Sequence, residues 1–133
     1  MASVKFPKGS EGLLDQSIDL SGDVRVMLVK SSYTYDDTDQ FVSDLGAVDN
    51  GRSAALTGQT FTGGVFDAAD TSLTATAAVA CNALIIFQHT GVDATARLIG
   101  YIDVVYTGLP FTPSASQNVP IAWDSGSDKI FRI

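Results

Sequence analysis

Three carboxylates crowd together at Asp36, Asp37 and Asp39, a density that would suit a hard, oxygen-ligated cation such as calcium. A twelve-residue calcium loop also needs a glycine at its sharp turn and a distal bidentate Glu; both are missing, so the aspartates read as caps and turn formers. His89 is the sole imidazole and hence the only general base of that type for a Ser or Cys nucleophile. It ends an apolar stretch just before Thr90-Gly91, the setting of a structural histidine. Cys81, flanked by Ala80 and Asn82, has no basic neighbour in sequence to stabilise its thiolate and reads as a small buried side chain. Asp67 and Asp103 could in principle form the carboxylate pair of a glycoside hydrolase, but nothing in their spacing selects them. The glycines of Gly58–Gly64 partly match a phosphate-binding loop, yet Gly64 stands where its Lys should be. Tyr33, Tyr35 and Trp123 could stack on a sugar or another ligand, although a lone Trp in an alternating strand is more often core. No catalytic, cofactor-binding or metal-binding residue is assigned, and the residues nominate no enzymatic activity.

The elements that would position these groups are mostly strands. Val24 to Lys30 is β-branched and apolar between turn residues, the pattern of a buried strand. Asp37 and Thr38 are candidate N-caps for a two-turn helix that carries Phe41, Val42 and Leu45 and closes at Gly46. Asn50-Gly51 marks a tight turn, and Leu56 to Thr62 an edge strand. Thr71 to Val92 has no charge over 22 positions, but its Thr, Asn, Gln and Ala content argues for two strands rather than a membrane helix. Within it, Ala83 to Gln88 is apolar on both faces, so something must cover the second face, and another subunit is the expected cover. Leu98 to Tyr106, Val119 to Trp123 and Lys129 to Ile133 complete about eight strands, giving an all-β fold: an antiparallel β-sandwich or jelly-roll-like barrel with one short helix. Residues 1–133 are read as one domain, with 1–20 as an extended arm because Pro7, Gly9 and Gly12 interrupt any helix there.

Composition agrees. The chain has 133 residues and a net charge of -7, and 14 of its 15 acids are Asp, a residue of turns and caps rather than of helices. Such acidity disfavours nucleic acid, whose binding relies on Lys and Arg neutralising phosphates. With one Cys and one His, disulfide frameworks and most metal centres are excluded. No secretion signal follows Lys5 and Lys8, so synthesis in a cytoplasm without membrane insertion is expected. Charged residues are only 17% of the chain against about 25% in ordinary domains, and interface cores are depleted in charge, so a homo-oligomer is expected.

Four segments together resemble small virion proteins of tailed bacteriophages: VRVMLVKSSYTYDDTDQFVSDL (Val24 to Leu45), ALTGQTFTGGVFDAADTSLT (Ala55 to Thr74), ALIIFQHTGVDATARLIGYID (Ala83 to Asp103) and PIAWDSGSDKIFRI (Pro120 to Ile133). The resemblance implies a structural protein of the capsid surface, a decoration or cement protein that binds the major capsid protein, with a neck or tail component as the alternative. It also implies a trimer, since capsid decoration commonly occupies threefold positions. From another class, a carbohydrate- or ligand-binding β-sandwich using Tyr33, Tyr35 and Trp123 is the alternative.

Overall fold

Two apolar runs, β2 (Val24–Lys30) and β6 (Cys81–Gln88), pair antiparallel over their whole length, from Val24 opposite Gln88 to Lys30 opposite Cys81. The computed structural model describes residues 3–102, 112–123 and 129–132. Around the central pair, β7 (Leu98–Ile102) and β1 (Ser3–Lys5) add on one side and β3 (Asp49–Arg52) on the other, giving the order β1-β7-β6-β2-β3. Two antiparallel ribbons, β4 (Val65–Phe66) with β9 (Phe131–Arg132) and β5 (Thr71–Thr74) with β8 (Asn118–Ile121), complete an all-β, sandwich-like fold. The uncharged stretch from Thr71 to Val92 supplies two strands, as expected, and no helix among the described residues is long and apolar enough to cross a membrane. The part of the Leu98 to Tyr106 strand beyond Ile102 lies outside the described residues.

Strand alternation sends the central strands' side chains into two separate cores. Val24, Val26, Leu28, Leu84, Ile86 and Ile99 face one side, where Phe66, Leu73, Val119, Ile121, Trp123 and Phe131 cover them. Met27, Val29, Ala83, Ile85, Phe87, Leu98 and Tyr101 face the other, beneath Phe6, Tyr33, Val42, Leu45, Val48 and Ala96. The second face of Ala83 to Gln88 is thus sealed by this chain's own N-terminus and its 33–48 loop, not by another subunit. Each large side chain so buried contributes about 1.5–3 kcal/mol, which explains why the cover folds back. Among the described residues, the exposed large apolar side chains, Val4, Leu14, Phe61, Val79 and Val92, come from five separate segments.

The N-terminus differs most from expectation. Residues 3–14 are no extended arm: β1 pairs with β7, Phe6 is fully buried, and α1 (Pro7–Leu14) lies against β7. Pro7 opens the helix where a missing N–H costs nothing. The glycines read as helix breakers are what let it dock, since a Cβ on Gly9 would stand 2.5 Å from the Leu98 carbonyl oxygen and one on Gly12 2.5 Å from Ile18 Cδ1. Arg97 fastens the helix by donating to the Lys8 carbonyl at 2.7 Å and to Ser17 Oγ at 2.8 Å.

Three smaller readings are corrected. The expected helix after Asp37 is a single 3-10 turn, Val42–Leu45, capped by Asp44, whose carboxylate accepts from the backbone N–H of Gln40 and Phe41. Asn50-Gly51 is not a hairpin turn but the middle of β3, and from Leu56 to Thr62 only an isolated bridge, Thr60 to Asp67, survives of the expected edge strand.

Candidate functional site

The three aromatic residues proposed as a stacking platform do not converge. Tyr33 and Tyr35 join Tyr101 and Phe6 in the second core, with ring centroids 5.1–5.9 Å apart, whereas Trp123 lies in the first core on the opposite face of the sheet. Trp123 is 8% exposed, and its indole N–H donates to the Ala69 carbonyl at 3.0 Å. Its fluorescence emission is therefore expected to lie well to the blue of that of the denatured chain.

Local backbone and side-chain hydrogen bonds occupy most of the aspartate cluster. Asp36 accepts from the Thr38 N–H and hydroxyl, and these bonds hold its carboxyl below the usual range. Asp39 accepts from the Tyr33 hydroxyl at 2.8 Å, but its burial outweighs that bond and pushes the carboxyl upward. Burial, and next the bond to Asp39, pushes the Tyr33 phenol up as well.

His89 and Cys81 sit at opposite ends of β6, about 25 Å apart at strand rise, too far for a nucleophile and its base. The His89 N–H donates to the Asp23 carbonyl, and its ring meets Phe87 edge-on. Around it, Arg25 pairs with Asp23, and Arg52 bridges Asp49 and Asp93 while lying over the Phe87 ring. Bonds from Arg25 and Arg52 depress the carboxyls of Asp23 and Asp93. A depressed folded-state pKa means stability present above the ordinary carboxyl value of 3.8 and lost as pH falls through the lower folded values. The melting temperature is accordingly expected to hold near neutral pH and to fall as pH drops below the ordinary carboxyl value of 3.8, less steeply in high salt.

The Cys81 Sγ is buried and accepts from Asn50 Nδ2, and desolvation pushes the thiol up, away from the reactive thiolate. Ellman's reagent is expected to find no reactive thiol in the native chain and one after denaturation. Rapid native labelling would contradict the buried placement.

Of the two carboxylates weighed for hydrolysis, Asp103 lies outside the described residues. Asp67 is half-buried and lines a small, solvent-open pocket of about 180 Å³ together with Thr60, Thr62, Val65 and Lys129. The pocket was not legible in sequence: Lys129 stands two residues before β9 and is brought to the 60–67 segment by the pairing of β4 with β9 and by the Ile130 N–H, which donates to the Phe66 carbonyl. The glycine-rich signal of Gly58–Gly64 does fall on its rim, where Gly58, Gly63 and Gly64 take positive φ values. Comparison with family models, with curated proteins and with solved structures finds no match to this chain.

Proposed function

We propose that the chain is a non-enzymatic structural component of a tailed-bacteriophage particle, bound to the major capsid protein as a decoration or cement protein. The supporting observation is where the resembling segments lie. Val24 to Leu45 supplies β2, Ala55 to Thr74 supplies β4 and β5, Ala83 to Asp103 supplies β6 and β7, and Pro120 to Ile133 supplies β9 and part of β8. These strands pair with one another, β2 with β6, β6 with β7, β4 with β9 and β5 with β8, so the resemblance falls on the mutually bonded framework rather than on scattered loops. A neck or tail position is the alternative within the same reading.

Because the chain covers both faces of its own central sheet, no second copy is needed to bury the described core, and a trimer is supported by the resemblance alone. Contact with the shell then falls to polar, Asp-rich loops, and electrostatic contacts of that kind weaken with salt. Purified protein mixed with undecorated capsids should co-sediment in a fixed ratio, raise the shell's melting temperature and release as salt rises. A protein that leaves capsids, necks and tails alike unbound would overturn the assignment.

A further inference from the structure

The pocket between β4 and Lys129 presents a carboxylate, an ammonium and two hydroxyls to one volume of about 180 Å³. The side chains of Thr60, Thr62, Asp67 and Lys129 make no hydrogen bond or ion pair with any described residue, and Asp67 and Lys129 face the same cavity without closing on each other. Among the described residues most other aspartates cap backbone or pair with arginine, so a half-buried Asp67 beside a half-buried Lys129, neither side chain bonded to a described residue, is an exception. The frame that holds them is an unusual stretch of backbone. Gly63 and Gly64 have φ values of 67° and 77°, and Lys129, which has a Cβ, sits at 50°. A non-glycine residue in the left-handed region is uncommon and costs energy that its surroundings must hold, a feature Lys129 shares with Gln16 and Ser116.

We infer that this pocket is a binding subsite for one neutral sugar ring. A free anion would meet Asp67 and a free cation would meet Lys129, whereas vicinal hydroxyls donate to the carboxylate and accept from the ammonium with no like charge opposed. Thr60 and Thr62 hydroxyls serve in either sense, and Val65 offers an apolar contact for the C–H face of the ring. The volume is below that of a drug-sized site and suits a single ring, one residue of a surface glycan held with its remainder in solvent. This site differs from the Tyr33, Tyr35 and Trp123 platform and stands apart from the particle role, which its failure would leave untouched.

Titration of the isotope-labelled full chain with glucose, galactose, mannose and, separately, glycine tests it. At least one hexose is expected to shift the amides of residues 60–67 and 129 saturably, with a dissociation constant on the order of 1–10 mM, as befits one small ring. Asp67→Ala and Lys129→Met are each expected to weaken that binding about tenfold, the loss of one good polar contact. Neither variant is expected to move the melting temperature, because neither side chain bonds to a described residue. No saturable shift with any hexose, binding of glycine alone, or hexose binding that both variants retain would overturn the inference.

Discussion

Phe6→Ala is expected to cost about 3–5 kcal/mol, the range for emptying a fully buried aromatic site, and to lower the melting temperature by roughly 10 °C or more. Phe6 has no exposed surface, and it fills the second core beside Tyr35, with centroids 5.1 Å apart. Its backbone N–H also donates to the Ile99 carbonyl, so the side chain and the strand edge are held by one residue. The adjoining glycines make the test sharper because two principles predict opposite signs. On helix propensity alone, replacing a mid-helix Gly by Ala stabilises by about 1 kcal/mol. On packing, a Cβ at Gly9 meets the Leu98 carbonyl and the Ile99 backbone, which cannot swing aside as a side chain could, and overpacking of that kind costs about 1–3 kcal/mol. Packing wins where the obstacle is backbone, so Gly9→Ala is expected to destabilise. A loose N-terminal arm would instead leave Phe6→Ala neutral and let Gly9→Ala stabilise, and urea unfolding of the two variants separates the cases.

Val24 to Lys30 and Ala83 to Gln88 could be read as strands from sequence because β-branched and apolar runs of that length between turn residues have few other solutions. That both faces of the second run are buried could also be read. What buries them could not, since the covering residues Phe6, Tyr33, Val42, Leu45 and Val48 come from segments whose local signals are weak or misleading. Pro7, Gly9 and Gly12 look like breaks when judged by helix propensity, and they become intelligible only once the distance to β7 is known. The same limit hid the pocket, because nothing local connects Lys129 to Thr60, Thr62 and Asp67. The aspartates lie between these cases: their abundance announced capping, but whether Asp44 or Asp37 caps the turn at Val42–Leu45 depends on where Phe41 is held, and its bridge to Arg97 is a long-range contact.

Asn50 carries the second large effect. It is fully buried, and each half of its amide is used twice: Nδ2 donates to the Ala77 carbonyl and to Cys81 Sγ, while Oδ1 accepts from the Thr76 hydroxyl and the Ala77 N–H. Three of these bonds tie β3 to the segment between β5 and β6, and the fourth ties it to Cys81, the first residue of β6. Asn50→Ala leaves the partly buried Ala77 N–H and carbonyl without that partner, and losing its three bonds to nitrogen and oxygen at about 0.5–1.5 kcal/mol each gives an expected loss of about 2–4 kcal/mol. Thr76→Val removes a single hydroxyl and is expected to cost about 1 kcal/mol. The most diagnostic substitution is Asn50→Asp. Its shape is nearly unchanged, yet the ionised carboxylate cannot donate, so it faces the Ala77 carbonyl and the sulfur with nothing to give. Burial raises the introduced group's pKa, and a raised folded-state value contributes stability that is present at low pH and lost as pH rises. Stability of this variant is therefore expected to increase as pH falls from 7 towards 5, where the parent chain is flat, with Cys81 becoming accessible to thiol reagent at the upper end. Parallel pH profiles for Asn50→Asp and the parent would contradict the buried amide clamp, because a solvent-facing side chain at this position would give no such divergence.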